Sequence, residues 1–315
     1  MLWQHYRKRW VLLSKVLMFP GQGAQYKGMA NDLLHDNVGH TLLSDLNAVL
    51  DDDILSRMQS GDQLEETKNT QPAIVMHSIA GLKLSGLQAD YVMGHSLGEY
   101  AALVAAEVLT PVDAIKVVRK RGELMQQAFP PGIGSMAAIM GTDREVIAQA
   151  CEILSQDGHV LNVANINCPG QIVVAGHTVL IDKLNEQKAQ LGIKKMIPLN
   201  VTGPFHSQLM EVIADEFSTF LEGIQLSDAK IPVIQNVTAR PVTHRDEIKE
   251  NLIKQLYSPV EFTASVEYLI NAGVDTFIEV GPGKVLSGLV RKIDRHVTTR
   301  QVDTLEQINE VKQNC

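Results

Sequence analysis

This 315-residue sequence predicts an α/β fold with a mainly parallel sheet, on three observations. Short β-rich runs bounded by Gly, Pro or Asn alternate with helical patterns along most of the chain. A glycine-flanked serine turn, Gly94-His95-Ser96-Leu97-Gly98, joins an apolar strand to a helix. The middle stretch departs from strict alternation and reads β-α-β-β-α-β, the split, ferredoxin-like order.

The strand runs fall at 16–19, 91–93, 135–140, 171–175, 195–200, 231–236 and 276–280. A helical pattern over 71–84 places Pro72 in a first turn and stops before Gly86. Another, over 97–108, is rich in alanine and leucine, and 111–129 carries an amphipathic stripe. In the middle stretch, strand 135–140 is followed by helix 143–156, strands near 159–165 and 171–175, helix 178–190 and strand 195–199. The organisation that follows is a small ferredoxin-like domain, 132–201, inserted into a discontinuous core of 15–131 and 202–300. Gly132, Gly134 and Gly203 mark the crossings. Residues 1–14 stand outside as an N-terminal extension. Arg7, Lys8 and Arg9 ahead of an apolar run mimic a signal peptide, but Lys15 breaks the run and no small-residue cleavage site follows.

Composition narrows the function classes. With 28 Lys+Arg against 36 Asp+Glu the formal charge is −8, and only 5% of residues are aromatic, which disfavours nucleic-acid binding. No stretch reaches the roughly 20 apolar residues of a membrane span. Cys151, Cys168 and Cys315 are far apart with no CxxC pair, so a reducing, cytoplasmic setting fits and neither a disulfide framework nor a zinc site is expected. A fold that closes on itself suggests a monomer.

The serine turn carries the chemistry. Flanking glycines permit a tight, strained elbow with room for a substrate at Oγ, and the helix that follows offers the Leu97 N–H to a developing oxyanion. A serine nucleophile needs a base. Of the ten histidines, His206 in Gly203-Pro204-Phe205-His206-Ser207 follows a strand at the return from the insert, downstream of the serine; the alternative reading is that it merely starts a helix over 207–220. His95 points away from Ser96 in an ordinary elbow, which suits a supporting hydrogen bond. No setting singles out a third, acidic member; Asp215 and Asp275 are merely available. Arg121 falls on or beside the apolar stripe made by Val117, Val118, Leu124 and Met125. A buried guanidinium is costly without a carboxylate, so it reads equally as a bidentate carboxylate clamp or as a structural arginine, snorkelling to solvent or ion-paired with Glu99 or Glu123.

Eight motifs now stand in order: Phe19-Pro20-Gly21-Gln22-Gly23, Gln71-Pro72-Ala73, Gly94-His95-Ser96-Leu97-Gly98-Glu99-Tyr100, Arg121-Gly122, Asn167-Cys168-Pro169-Gly170-Gln171, Pro204-Phe205-His206, Gln255-Leu256-Tyr257 and Glu279-Val280-Gly281-Pro282-Gly283-Lys284. Together they resemble the malonyl-CoA:acyl carrier protein transacylases, over about 16–291. The resemblance implies a hydrolase-like α/β core with a ferredoxin-like insert and a site in the cleft between them. It implies that Ser96 is acylated, that His206 is general base and acid, and that the Gln22 and Leu97 N–H groups form the oxyanion hole. Arg121 would hold the malonyl carboxylate, the Gln255 main-chain carbonyl would orient His206, and Asn167 would line the pocket. Phe205 resembles the bulky residue of malonyl-selecting polyketide acyltransferases, where a ring leaves little room for a 2-methyl branch.

The implied activity is a ping-pong transfer of malonyl from malonyl-CoA to the phosphopantetheine thiol of an acyl carrier protein, without metal or redox cofactor. Fatty-acid and free-standing polyketide enzymes share these motifs; Phe205 and the extension lean toward the polyketide setting. Two rivals are an acyl hydrolase of the same fold and a catalytically idle carrier-docking subunit. Arg121 speaks against the first and the intact Ser96 and His206 against the second. For an acidic carrier, the expected basic surface is Lys116, Arg119, Lys120, Lys194, Lys195 and Arg291.

Overall fold

A computed structural model describes residues 14–314 apart from 157 and 202. The proposed extension thus lies outside the described residues except for Ser14, where the first strand begins, and so does Cys315. The strands are β1 (Ser14–Phe19), β2 (Tyr91–Gly94), β3 (Gly134–Met140), β4 (Leu161–Cys168), β5 (Gln171–His177), β6 (Lys195–Pro198), β7 (Val233–Ile234), β8 (Pro241–Val242), β9 (Val274–Val280) and β10 (Thr298–Val302). The helices begin with α1 (Asn37–Asn47), α2 (Ile54–Ser60), α3 (Thr67–Ser85), α4 (Gly98–Ala105), α5 (Pro111–Gln127) and α6 (Arg144–Leu154). They continue with α7 (Thr178–Gln187), α8 (Ala214–Glu222), α9 (Arg245–Gln255), α10 (Phe262–Asn271), α11 (Val285–Ile293) and α12 (Leu305–Asn314).

The larger sheet has the order β10-β9-β1-β2-β7-β8 and is parallel except for the β7/β8 pair. Its centre is β1, whose Val16, Leu17, Met18 and Phe19 are all buried, as expected for a strand covered on both faces. Helix α3 packs against this sheet at β9 and β10 and is hidden nearly all round, with 16 of 19 residues buried. From β1 the chain builds outward to β2 and β7 on one side and to β9 and β10 on the other. The crevice at the carboxyl ends of β1 and β2 is therefore the place where an open α/β sheet presents a site. Gln22 follows β1 there, and Ser96 follows β2.

The second sheet, β4-β5-β3-β6, is antiparallel and has the predicted ferredoxin-like order. Strand β3 shows the expected alternation. Met136 and Ala138 join the main core with Val173 and Ala175, whereas Ala137 and Ile139 pack with Ile147, Leu154, Ile181 and Leu184 of α6 and α7. The chain enters this unit at Gly134 and leaves it at Pro204 in close contact, since a Cβ on Gly134 would lie 2.4 Å from the Pro204 ring. A parallel bridge between Asn165 and Val260 and a bidentate Arg144–Glu261 ion pair (2.7 and 3.0 Å) tie the unit to the rest of the chain.

Several expected elements are corrected. Pro72 lies inside α3, which starts four residues earlier than the pattern predicts. A mid-helix proline cannot donate to the carbonyl four residues back. Here Arg119 Nη1 donates to that orphaned Lys68 carbonyl at 3.1 Å, so α3 continues through the proline. The expected strand over 231–236 shrinks to β7, and the helical pattern over 97–108 shortens to α4. A 3₁₀ turn, Gln208–Ile213, separates His206 from α8. Strands β8 and β10 escape the sequence pattern because both are edge strands: Thr298–Val302 has no apolar alternation to betray it.

Removing the Arg119 side chain leaves the Lys68 carbonyl without its donor. Arg119→Ala is expected to cost about 1–3 kcal/mol in urea unfolding, whereas Lys116→Ala, an exposed neighbour on the same helix, should stay within about 0.5 kcal/mol of the parent.

Candidate active site

The elbow closes because two glycines allow it. A Cβ on Gly94 would lie 2.0 Å from the Gly98 carbonyl carbon, and one on Gly98 would lie 1.9 Å from the Phe19 oxygen. The turn is thus pressed against the end of β1, and Ser96 takes a left-handed backbone, φ +48°. His206 is also left-handed, φ +62°. Left-handed backbone costs a non-glycine residue about 1–3 kcal/mol and persists only where surrounding contacts enforce it.

Those contacts bring the predicted groups together. Ser96 Oγ lies 2.7 Å from His206 Nε2. His206 Nδ1 lies 2.8 Å from the Gln255 main-chain oxygen. A carbonyl can only accept, so the proton sits on Nδ1 and Nε2 offers its lone pair to the serine. No carboxylate is needed to orient the ring, and Asp215 and Asp275 take no part. Leu97 heads α4, where no turn precedes it to use its N–H. Gln22 faces Leu97 across a cavity of about 110 Å³, whose lining includes Ser96, His206, Arg121 and Phe205. That space suits an acyl group of a few carbons. An open cleft of about 810 Å³ reaches His206 from the other side, past Asn162, Gln208 and Tyr257.

Arg121 is 1% exposed. Neither Glu99 nor Glu123 pairs with it; Glu123 binds Arg119 instead, at 2.8 Å. Its guanidinium donates to Gln71 Oε1 (3.0 Å), Gln255 Oε1 (2.9 Å) and Ser96 Oγ (3.1 Å), all neutral oxygens. The Tyr100 ring lies 5.5 Å from the guanidinium carbon. Its Nε–H finds no hydrogen-bond partner among the described residues. This is a buried cation beside the nucleophile with no anion hydrogen-bonded to it.

The electrostatics follow. Burial pushes His206 down to about 3, and the Arg121 charge pushes in the same direction. The imidazole is therefore neutral, the form a base requires. Burial also lowers His95, whose Nε2 lies 2.8 Å from Asn167 Oδ1. Asn167 thus supports His95 from behind instead of lining the acyl cavity as the resemblance implies; Asn165 occupies that wall. Burial raises Glu99 to about 7, against the lowering effect of the Asn236 N–H, Gln255 and Arg121. The expected basic surface is thinned as well. Arg119 is spent on Asp52, Glu123 and the Lys68 carbonyl, and Lys120 pairs with Glu216 at 2.6 Å.

Sequence reasoning missed the amide side chains of Gln71 and Gln255 on Arg121, and it missed Asn236 beneath the serine. The last had a signal: Gln235 and Asn236 are polar residues just past the carboxyl end of a buried strand, at the sheet edge where sites form.

Comparison with known proteins agrees with this geometry. The acyl transferase domain family matches residues 16–310. The malonyl CoA-acyl carrier protein transacylase of Staphylococcus aureus strain MW2 is 53% identical over 302 residues, covering 95% of this chain and 98% of that protein. The chain belongs to the malonyl-CoA:acyl carrier protein transacylase family. Among solved structures, an acyl carrier protein S-malonyltransferase from Vibrio cholerae superposes with a TM-score of 0.91 at 40% identity, covering 95% of this chain and 99% of that one. A malonyl-transacylase in complex with its type II polyketide acyl-carrier protein gives 0.92 at 35%, covering 96% and 100%.

The depressed His206 value has a direct readout. In an NMR titration, its Cε1–H resonance should show no protonation between pH 8 and 5, and Arg121→Ala should move its titration upward by removing a neighbouring positive charge. Protonation near the ordinary histidine value of about 6.5 would contradict the burial and charge argument.

Proposed function

We propose that this chain transfers malonyl from malonyl-CoA to the phosphopantetheine thiol of an acyl carrier protein through a malonyl-Ser96 ester. The observation that carries the reading is Arg121: a buried guanidinium 3.1 Å from the nucleophilic oxygen, bonded to neutral groups. A carboxylate at the far end of a short acyl group supplies the missing anion, and Gln71 and Gln255 hold the guanidinium fork ready for it. A plain acyl chain would leave the guanidinium hydrogen-bonded to neutral oxygens only, which disfavours general acyl hydrolysis. The identity to named malonyl transacylases supports the same substrate.

The steps use groups already in place. The Ser96 hydroxyl gives its proton to His206 Nε2 as Oγ attacks the thioester carbonyl carbon. The oxygen that gains charge sits between the Gln22 and Leu97 N–H groups. As the tetrahedral intermediate collapses, the C–S bond breaks and imidazolium His206 returns the proton to the departing CoA sulfur. The Gln255 carbonyl accepts from Nδ1–H throughout and stabilises that imidazolium. The carrier's thiol then gives its proton to His206, its sulfur attacks the ester carbon, and Ser96 leaves with the proton restored. Every proton and acyl movement is accounted for by Ser96, His206 and the two thiols, so the reaction calls for no metal or redox group. The cleft reaching His206 gives the pantetheine arm its approach.

Phe205 and Met125 wall the acyl cavity, where a 2-methyl branch would need room. For the acidic carrier, Lys194 and Lys195 remain candidate contacts, and Arg291 donates from Nε to Thr299 Oγ1. The product feeds chain extension in fatty-acid or polyketide assembly. Free, buried Cys151 and Cys168 support a cytoplasmic setting; no helix among the described residues is long and apolar enough to cross a membrane.

Arg121→Ala should lower kcat/KM for malonyl-CoA by roughly 10²–10³-fold, the effect of losing a buried charge-assisted pair, while acetyl-CoA turnover holds or rises. Equal loss with both thioesters would make Arg121 a structural residue. Reversing Lys194 and Lys195 to Glu should raise KM for the carrier and flatten its salt dependence without altering acylation by malonyl-CoA; unchanged carrier kinetics would remove that surface.

A further inference from the structure

Ser96 is held in a left-handed backbone on an elbow, and its own glycines explain only why the turn fits. What holds it there is a side chain from another part of the sheet. Asn236, just beyond β7, accepts from the Ser96 N–H with Oδ1 at 2.6 Å and donates from Nδ2 to the Gly94 carbonyl at 2.7 Å. One carboxamide thus bridges the two main-chain groups on either side of His95. The pairing needs an amide: an aspartate could accept from Ser96 but could not donate to Gly94, and a serine or alanine could not span both.

Asn236 is itself fixed along its main chain. Its N–H donates to Glu99 Oε2 at 2.8 Å, and its carbonyl accepts from the Glu261 N–H at 3.0 Å. The other Glu99 oxygen accepts from Gln235 Nε2 at 2.8 Å. Glu99 is 1% exposed and sits in the first turn of α4, the helix the elbow opens. The Glu99 N–H donates back to the Ser96 carbonyl at 3.1 Å, which also accepts from Gln255 Nε2 at 3.1 Å. Both polar main-chain groups of the nucleophile are therefore pinned, and the ring of contacts closes through a carboxylate that plays no part in proton transfer.

We propose that Asn236, locked by Glu99, is a positioning residue that holds the Ser96 elbow in its strained form and so aims Oγ at His206 Nε2 and keeps the Leu97 N–H turned into the acyl cavity. The inference rests on Ser96 being the nucleophile, as proposed above. Loss of the bridge lets the elbow relax, and small misplacements of a reacting atom cost up to about 10²-fold in rate.

The test reads Ser96 reactivity independently of malonyl transfer. A small arylsulfonyl fluoride should sulfonylate Ser96 in the parent chain, displacing fluoride as the hydroxyl proton passes to His206, with the adduct counted by intact-protein mass spectrometry. Asn236→Ala should slow this labelling, and kcat for malonyl-CoA, by roughly 10–100-fold, with KM changed less than about twofold. A merely structural residue would lower the unfolding midpoint yet leave the labelling rate of the folded protein untouched. Glu99→Gln provides the second arm: it keeps the volume but turns an acceptor into a donor facing Gln235 or the Asn236 N–H, so a smaller slowing in the same direction is expected. If either folded variant labels at the parental rate, the positioning role is overturned; if Asn236→Ala does not fold, the Glu99→Gln rate decides alone. A parent chain that fails to label would instead indict the nucleophile assignment.

Discussion

A guanidinium buried without a carboxylate bonded to it is the interaction around which this molecule is arranged. Taking Arg121 out of water is expensive, and neutral oxygens, an aromatic face and the field of nearby Glu99 offset only part of that cost. The fold tolerates the deficit because α5, which carries Arg121, is packed tightly against α3, whose Gln71 meets the charge from the opposite side. Such a site is incomplete until an anion enters it. A short acyl group ending in a carboxylate completes it and, by the same contact, is placed beside Ser96 Oγ. Selection and alignment thus come from one side chain, and its charge adds to burial in keeping His206 in the neutral form that can accept the serine proton.

The second demand is geometric. Ser96 and His206 both occupy left-handed backbone, so the polypeptide is strained at the two residues whose side chains exchange a proton. Contacts from distant segments enforce this. Asn236 and Gln255 grip the Ser96 main chain, and the Gln255 carbonyl orients the imidazole in place of an acid. Gln255 therefore serves three neighbours at once: its carbonyl serves His206, its side-chain oxygen serves Arg121 and its side-chain nitrogen serves Ser96. The smaller antiparallel sheet closes the site from above, docked through the Asn165–Val260 bridge and the Arg144–Glu261 pair.

Much of this was legible in the sequence, and the parts that were not share a cause. The serine elbow announces itself because steric demands at Gly94 and Gly98 leave little choice of residue, and the ferredoxin-like order is visible because half-buried strands alternate. The inward Arg121 could be seen from helical periodicity, although its partners could not: Gln71 is 50 residues away and Gln255 is 134. Edge strand β10 and the continuation of α3 through Pro72 were hidden for a related reason. The first is stabilised by pairing with β9 and the second by Arg119, so neither carries its explanation locally. Asn167 was misplaced because a motif names a residue without saying which wall it stands on.

A carboxylate-selective acyl-serine that passes its group onward is what Arg121, Ser96 and His206 together require. Intact-protein mass spectrometry of the purified chain with malonyl-CoA or acetyl-CoA, followed by a phosphopantetheinylated carrier protein, observes both halves directly. A malonyl adduct confined to Ser96, formed in preference to acetyl and transferred to the carrier thiol, is the predicted result. Equal adducts from both thioesters, or an adduct that decays to free malonate while the carrier stays unloaded, would contradict it.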